Sequence, residues 1–336
     1  MSSPVPRRLI CRMPNWIGDS VMAIPALLSI HEHYPETEIY IAAVESQRDI
    51  YNHLTFKPDG FISLNSGKYL KNAKMISAVK ADTILLFTNS FSSALEAYLS
   101  GIPKRIGYRK DLRSMLLNQS IIPSLEKQHM IDYYNELTEK IGVSVNSEVP
   151  VLKAKREIPQ CLKQTSYNRQ KPLIGINPGA AYGEAKRWVP ENFSKTAEKL
   201  LNKGYQVVLF SGPGAELPSA LEIAKSQPGI INLAGKTTLE ELISTIAQCD
   251  LFITNDSGPM HIAGALSIPV VAIFGPTDHQ STGLRSGRYK IVTTNEECAP
   301  CMERICPLTH HNCMKNITVD IVLSASFELL NPKGVL

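Results

Sequence analysis

A strand that ends in Asn-Asp-Ser-Gly and passes at once into a helix carries the most specific chemical signal of this sequence, in the stretch TNDSGPMHIAGAL. Asp256 or Ser257 can cap that helix, and the proline that follows stands where an early helical position needs no N–H donor. The amides of Gly258, Met260 and His261 would then point out of the helix end, which attracts phosphate. The imidazole of His261 can also donate to an anionic oxygen. The pattern predicts a phosphate site, with a plain capped helix as the alternative.

A Gly- and Ala-rich loop, NPGAAYGEAKRW, begins at Asn177 and ends in two cations and an aromatic residue. Small residues such as Gly179 let the backbone approach a ligand closely. Lys186 and Arg187 add positive charge at the carboxyl end of a strand. This composition suits a diphosphate group, and a solvated surface loop with ordinary cations is the alternative.

A second glycine-containing turn, SGPGAE, places Glu216 after a strand and at the start of a helix. A carboxylate there can accept hydrogen bonds from ribose hydroxyls. The turn lacks the full G-x-G-x-x-G fingerprint, which argues against a redox dinucleotide. Glu216 is equally explained as an acid of the first helical turn, favoured by the helix dipole.

An aspartate stands at another junction of strand and helix, in the stretch MPNWIGDSVMAIP. Acids at such positions usually serve the helix start, so Asp19 is first explained as an N-cap. The local pattern leaves open whether Asp19 also does chemistry. Because a carboxylate committed to capping is a poorer base, Ser20 would take part of the capping if Asp19 does chemistry.

Five cations crowd the segment PKRIGYRKDLRS. Arg105, Arg109 and Arg113 would share one face only in a helix, and Gly107 argues against a helix at its start. Guanidinium groups match phosphate and carboxylate, so a pocket for an anionic partner is the functional interpretation. A solvated basic face is the alternative.

Four of the seven cysteines lie in CAPCMERICPLTHHNC, beside His310 and His311. Thiolates and imidazoles are the ligands that zinc prefers, and a C-x₂-C pair opens the segment. Six residues separate the last two cysteines, more than is usual for zinc, so the prediction is no metal ion. A structural zinc site, a reduced cluster and disulfides all stay open. The candidate residues are Cys298, Cys301, Cys306 and Cys313.

These residues need elements that position them, and the chain supplies an alternation of apolar runs and helical patterns that predicts parallel α/β sheets. The stretch 149–171, rich in Lys, Gln and Pro, is predicted as a linker. We expect one doubly wound domain over 1–160, a second over 171–318, and a helical segment over 319–336 that could pack back across both. Two such domains predict a cleft between them, lined by loops at the carboxyl ends of the strands.

Composition bounds the function further. The chain has 336 residues, 43% hydrophobic and 20% charged, which is typical of folded domains rather than of disorder. A formal charge of +4 is too small to indicate nucleic acid as a partner. Apolar runs fall short of the roughly 18–20 residues that a spanning helix needs, and the first residues lack a signal-peptide core. A cytoplasmic protein is therefore expected.

Taken together and in this order, the stretches MPNWIGDSVMAIP, NPGAAYGEAKRW, NDSGPMHIAGAL with PVVAIFGPTD, and CAPCMERICPLTHHNCM cover nearly the whole chain. They resemble the ADP-heptose:lipopolysaccharide heptosyltransferase family, most closely its heptosyltransferase II group. The resemblance implies a GT-B fold, two Rossmann-like domains facing across a cleft. It also implies inverting transfer of L-glycero-D-manno-heptose from ADP-heptose to heptosyl-Kdo-lipid A in synthesis of the lipopolysaccharide inner core.

Carried over residue by residue, the resemblance implies that Asp19 is the general base and that Lys186 binds the donor phosphates. It implies a donor-binding helix start at Asp256 and His261 and a ribose-binding acid at Glu216. The basic segment would face carboxylates or phosphates of the acceptor. The expected donor-binding residues are Asn177, Gly179, Lys186, Arg187, Glu216, Asp256, Ser257, Gly258, Met260 and His261, and the expected acceptor-binding residues are Arg105, Arg109 and Arg113.

The resemblance implies no required cofactor, ADP-heptose as donor, a lipopolysaccharide precursor as acceptor, and transient contact with the cytoplasmic face of the inner membrane. Two enzymatic alternatives stay open. One is transfer of the first heptose onto Kdo-lipid A, and the other is a nucleotide-sugar 2-epimerase of the same fold, which needs no lipid acceptor. A non-catalytic module that binds nucleotide sugars is the third alternative.

Overall fold

The structure is a computed structural model that describes residues 5–154 and 157–331. Positions 155–156 of the predicted linker and 332–336 of the predicted C-terminal segment lie outside the described residues. Contacts divide the chain into two compact units, Met1–Lys153 and Ala154–Leu336. Each unit is built around its own parallel sheet.

The first unit contains, within the described residues, a six-stranded parallel sheet in the order β3-β2-β1-β4-β5-β6. Its strands are β1 (Arg8–Arg12), β2 (Glu38–Val44), β3 (Gly60–Leu64), β4 (Thr83–Leu86), β5 (Lys104–Tyr108) and β6 (Gln119–Ile121). Its helices are α1 (Ile17–Met22), α2 (Ile24–His33), α3 (Arg48–Asn52), α4 (Tyr69–Ala78), α5 (Phe91–Leu99) and α6 (Met130–Glu139). In the middle of the sheet, Leu9 of β1 pairs with Ile39 on one side and Thr83 on the other.

The second unit repeats this plan in the described residues, with a six-stranded sheet in the order β12-β11-β10-β7-β8-β9. Its strands are β7 (Leu173–Asn177), β8 (Gln206–Leu209), β9 (Ile231–Asn232), β10 (Leu251–Asn255), β11 (Val270–Ile273) and β12 (Tyr289–Val292). Its helices are α7 (Gln160–Lys163), α8 (Pro190–Asn202), α9 (Leu217–Ser226), α10 (Leu239–Ile246), α11 (Gly258–Ala265), α12 (His279–Thr282), α13 (Asn312–Lys315) and α14 (Val319–Leu330).

Strand order determines where ligands can bind in each unit. In the first sheet the chain leaves β1 toward β2 and later returns to its other side with β4; in the second sheet β7 lies in the same way between β8 and β10. At such a switch point the loops after the two central strands run to opposite sides, which leaves a crevice at the carboxyl ends. The fold therefore provides one crevice per sheet, and it confirms the predicted class of two doubly wound parallel α/β domains.

The cores show why these runs became strands. β4, β7, β10 and β11 are buried on both faces, as parallel sheets covered by helices require. In the second unit, Trp188 is fully buried, packs edge-on against Phe193 and donates its indole N–H to the carbonyl of Ile317 at 2.9 Å. Buried residues of α14, including Val322 and Leu329, join the same core. That α14 also packs across the first domain stays a prediction.

One predicted helix is two helices in the structure. The apolar run from Val21 to Ile30 predicts one helix that contains Pro25, whereas in the structure α1 ends at Met22 and α2 begins at Ile24. Proline lacks an N–H and its ring collides with the carbonyl four residues earlier, so it is tolerated only in the first turn of a helix. Pro25 stands in the first turn of α2.

Candidate active site

In the first unit, Asp19 lies in the first turn of α1, directly after the loop that follows β1. The N-cap of α1 is Trp16, and within the described chain no side chain caps this helix. The expectation that Asp19 or Ser20 serves as the cap is therefore wrong. The Ser20 hydroxyl instead contacts the carbonyl of Pro14 at 3.0 Å and Oε1 of Gln47 at 3.2 Å. The Asp19 carboxylate is half-exposed and lies at the switch point of the sheet.

A tyrosine that the sequence analysis missed holds this carboxylate. The buried Tyr134 hydroxyl on α6 donates to Oδ1 of Asp19 at 2.9 Å. Burial, and then the nearby Asp19 charge, raise the pKa of Tyr134 well above its usual value, so the phenol stays protonated and acts as a donor. Phe87 and Tyr133 pack edge-on against its ring. The hydroxyl therefore fixes the orientation of the Asp19 side chain.

The basic segment is a strand, then a turn, then the start of a short 3-10 helix at Arg113, and not one continuous α-helix. Arg105 on β5 donates to the carbonyls of Leu116 and Ile102, at 2.8 and 2.7 Å. Arg113 is completely buried, and its guanidinium donates to the carbonyls of Tyr108 and Thr88. Because the Arg113 side chain has no surface exposed to solvent and its guanidinium is directed at these carbonyls, it offers no surface to an acceptor anion in this structure, which corrects the expectation for Arg113.

Arg109 differs from these two arginines. It stands just after β5, and its side chain is exposed. Its backbone N–H donates to the carbonyl of Ile121 at 2.6 Å, so the residue is anchored through its main chain while the guanidinium faces solvent. Of the three predicted acceptor residues, Arg109 is exposed, Arg105 is half-buried and Arg113 is fully buried.

In the second unit, an ion pair and a hydroxyl group connect the loops that follow three strands. Lys186, at the end of the loop after β7, lies 2.5 Å from Oδ2 of Asp256, which follows β10. The hydroxyl of Thr277, which follows β11, donates to the same oxygen at 2.7 Å. The Lys186 and Asp256 side chains are only 12% and 6% exposed. This cluster lies at the switch point of the sheet, and Thr277 was not among the predicted site residues although its GPTD stretch was recognised.

The start of α11 lies beside this ion pair. Ser257 is its N-cap residue, but its hydroxyl makes no capping bond; it contacts Nδ2 of Asn177 at 3.2 Å. The expectation that Asp256 or Ser257 caps the helix through its side chain is therefore wrong. The amides at a helix start point outward and carry partial positive charge. Met260 and His261 are buried, and the backbone N–H of Met260 donates to the carbonyl of Ser257 at 3.2 Å, so this amide, which the sequence predicts to point out of the helix end, is already used within the turn.

Glu216 lies beside the loop after β7, next to Gly179. Its carboxylate lies so near three glycines that a Cβ on Gly179, Gly212 or Gly214 would come within 2.9 Å of the Glu216 side chain. Glycine at these positions therefore makes room for the carboxylate. Arg187 lies 3.9 Å from Glu216, a separation at which the two charges attract without a hydrogen bond. Glu216 is the N-cap residue of α9 but makes no capping bond.

The C-terminal cysteines also lie in the second unit. All seven cysteines of the chain are free thiols. Burial, and secondarily the other three thiols of the segment, raise the pKa of Cys313 to about 11. Among the described residues, no group of three or more His, Cys, Asp or Glu side chains is arranged so that it could hold a metal ion. The four thiols nevertheless lie near one another.

Two successive doubly wound domains, each with a crevice at its own switch point, are the architecture of the GT-B class. The chain belongs to glycosyltransferase family 9, the heptosyltransferases, whose family model matches residues 69–312. It is therefore an enzyme that transfers glycosyl groups, and the epimerase and binding-module alternatives are set aside.

Individual relatives support the same assignment along the full length. The chain is 30% identical to lipooligosaccharide heptosyltransferase 2 of Campylobacter jejuni, over 97% of this chain and 100% of that protein. It is 32% identical to lipopolysaccharide heptosyltransferase 2 of Escherichia coli, over 83% of this chain and 86% of that protein. The solved structure of E. coli ADP-heptose lipopolysaccharide heptosyltransferase II superposes with a TM-score of 0.83 at 28% identity, covering 97% of this chain and 99% of that one.

In the described part of the chain, no helix combines the length and apolar character needed to cross a membrane.

Proposed function

We propose that this enzyme transfers L-glycero-D-manno-heptose from ADP-heptose to the first heptose of heptosyl-Kdo-lipid A, with inversion at the anomeric carbon. The full-length similarity to proteins named heptosyltransferase 2 supports the second-heptose reaction over transfer of the first heptose. The observation that carries the proposal is the buried cluster of Lys186, Asp256 and Thr277 beside the start of α11. The pair is neutral as a whole, but it fixes an ammonium group beside the partial positive charge of a helix start, where the phosphates of a nucleoside diphosphate can bind.

The donor diphosphate would bind at this cluster in the second unit. As the glycosidic bond breaks, negative charge accumulates on the leaving ADP. An ammonium has three N–H donors, and one of those of Lys186 is directed at Asp256, so the ion pair orients the side chain before the donor arrives. Lys186 and the partial positive charge at the start of α11 would stabilise the leaving group without proton transfer. On this scheme no cofactor is required at the reacting centre.

Glu216 would recognise the ribose of the donor, and Arg187 would hold that carboxylate in place. The glycines around Glu216 let the loop backbone approach a nucleoside closely. Asn177, which also donates to the carbonyl of Gly179 at 3.2 Å, would maintain the shape of the loop. These roles remain proposals that rest on the position of each group at the strand ends.

The acceptor would be activated by Asp19 of the first unit. An inverting transfer needs one base that takes the proton of the attacking hydroxyl, on the face of the sugar opposite the leaving group. Asp19 is a half-exposed carboxylate held by Tyr134 and committed to no helix cap. Arg109 would attract anionic groups of the acceptor core. A lipid acceptor also implies that the enzyme visits the cytoplasmic face of the inner membrane.

The decisive experiment measures ADP release from ADP-heptose with two acceptors, Kdo-lipid A and heptosyl-Kdo-lipid A, with mass spectrometry of the product. We expect release with the heptosylated acceptor and a gain of one heptose. Asp19→Asn should lose about 10²–10⁴-fold in kcat, the range for removal of a general base. Asp49→Asn, a control at the first turn of α3 in the same unit, should retain normal kinetics.

Each other outcome of this experiment would contradict a different part of the proposed function. Preference for unheptosylated Kdo-lipid A would make the enzyme the one that adds the first heptose. ADP release unaffected by Asp19→Asn would remove the base assignment but leave the transfer reaction in place. No release with either acceptor would refute heptosyl transfer as the function.

A further inference from the structure

The four cysteines of the C-terminal segment line one small cavity in the second unit. Cys298, Cys301, Cys306 and Cys313 surround a volume of about 20 Å³. A cavity of this size is near the minimum of roughly 10–15 Å³ that holds one water molecule. The space among the thiols therefore matches a single small ion.

Two histidines border the same cavity, but each already uses one ring nitrogen. Nδ1 of His310 accepts from the backbone N–H of Asn312 at 3.0 Å. Nε2 of His311 donates to the carbonyl of Ala185 at 2.7 Å. A hydrogen bond at one ring nitrogen does not prevent the other from binding a metal, so what favours thiolate ligands is their number: four sulfurs line the cavity, and four sulfurs are the ligand set of tetrahedral zinc and iron sites.

The segment that carries these cysteines has little else to hold its shape. Between the end of β12 and the start of α13, the described chain forms no helix or strand. Met302, Ile305 and Leu308 are 49%, 65% and 54% exposed, so the segment has no apolar core of its own. Met302 also adopts a left-handed backbone conformation, which strains a non-glycine residue. Loop-rich segments of this kind are commonly held by a metal ion or disulfides, and the cysteines here are free.

The same segment supports the loop that ends in Lys186. The backbone N–H of Ala185 donates to the carbonyl of Arg304 at 3.0 Å, and the hydroxyl of Tyr182 donates to the carbonyl of Met302 at 2.8 Å. Gly183 lies so close that a Cβ there would stand 2.4 Å from the Arg304 carbonyl oxygen. Together with the bond from His311, these contacts join the cysteine segment to the residues immediately before Lys186.

We propose that the thiols of Cys298, Cys301, Cys306 and Cys313 bind one thiolate-preferring divalent ion, Zn²⁺ or Fe²⁺, which holds the segment against the Lys186 loop. Binding converts four thiols to thiolates, forms four metal–sulfur bonds and releases four protons to solvent, with no change in oxidation state. Because the described side chains are not arranged to hold an ion, the thiols that line the cavity must turn toward it when the ion binds. The ion is structural; its effect on donor binding rests on the proposed role of Lys186.

The first test measures metal content of tag-free protein purified without chelators, by elemental analysis and absorption spectroscopy. We expect about one equivalent of zinc or iron, the stoichiometry of a four-thiolate site. Thiolate-bound iron gives visible absorption that zinc does not, which tells the two ions apart. The double variant Cys298→Ser/Cys301→Ser should lose the metal, whereas Cys161→Ser, which alters a half-buried thiol elsewhere in the same unit, should keep it.

Three results would overturn the site. A metal-free chain whose seven thiols all titrate in denaturant would show a reduced cluster. Fewer than seven reactive thiols, with no metal, would show disulfides. Metal retained in full by the double variant would locate the ion elsewhere. If that variant does not fold, titration of native wild-type thiols with a mercurial should release the metal in step with thiol modification, and release without modification would contradict the proposal.

The second test measures ADP affinity, which does not require transfer. Removal of the metal with a chelator should weaken ADP binding about tenfold, since small displacements of positioned groups have effects of at least this size. Return of Zn²⁺ or Fe²⁺ alone should then restore the affinity. Unchanged ADP affinity in the metal-free chain would refute the link to the Lys186 loop while leaving the metal site intact. A metal-loaded chain that transfers no heptose would refute the proposed function but not the site.

Discussion

Substitutions in the buried ion pair between Lys186 and Asp256 should distinguish a structural role of Lys186 from a catalytic one. Lys186→Met removes the ammonium and keeps most of the stem, which leaves Asp256 as a buried carboxylate with Thr277 as its donor. Removing one member of a buried pair typically destabilises by about 3–5 kcal/mol, because the other charge is stranded. The remaining hydroxyl bond at 2.7 Å offsets part of this, so we expect the lower limit, about 3 kcal/mol.

The loss should be visible as a lower melting temperature. For domains of this size 1 kcal/mol corresponds to about 2–4 °C, so the transition of Lys186→Met should fall by about 6–12 °C. Adding Asp256→Asn removes the stranded charge, and the double variant should regain most of the stability. The coupling energy between the two positions should therefore be about 2–3 kcal/mol, in the range found for residues in direct contact.

Activity should not follow stability. If Lys186 stabilises the leaving diphosphate, its removal costs about 10²–10³-fold in kcat, as for other preorganised groups that stabilise developing charge. The double variant has no cation there, so it should stay as inactive as Lys186→Met although it melts near the wild-type temperature. Lys199→Met is a matched control, because Lys199 pairs with Asp320 at the surface of the same unit.

The assay combines thermal melts with ADP release under saturating ADP-heptose. Recovery of activity together with stability in the double variant would refute the catalytic role and make Lys186 a structural residue. An equal free energy of unfolding for wild type and Lys186→Met would show that Asp256 does not need the lysine charge to remain buried.

Other changes test the remaining assignments. Tyr134→Phe removes the hydroxyl that orients the proposed base. Since one hydrogen bond contributes roughly 1 kcal/mol, this change should lower kcat about 3–10-fold. Tyr133→Phe, on the same helix, is the control and should leave kcat unchanged; equal losses of kcat in both variants would contradict the role of Tyr134. Arg109→Ala should raise the acceptor KM several-fold with little effect on the donor KM; equal effects would contradict an acceptor role. Arg113→Ala should lower stability by about 3 kcal/mol or more, since it empties a buried site lined by carbonyls, and normal melting would refute this. Gly183→Ala should raise the donor KM because its Cβ has no room, and an unchanged KM would show that the loop adapts.

The alternation of apolar runs was sufficient to predict two doubly wound domains, because strands buried on both faces have continuous apolar sequences. The strand ends that carry Asp19, Asn177 and Asp256 could be located in the same way, since glycine and turn residues mark where a strand stops. Local rules failed at capping. Asp19 and Ser257 have the residue types of N-caps, yet their side chains make other contacts.

The sequence by itself therefore determined the fold class and which loops reach the carboxyl ends of the strands. Only the tertiary structure decided which side chains meet there. Tyr134 reaches Asp19 across 115 positions, and Lys186 reaches Asp256 across 70. Periodicity reports which face of an element is buried, whereas such pairings depend on how separate elements pack. The same reason explains Arg113, whose charge suggested a surface site until packing placed it among carbonyls in the core.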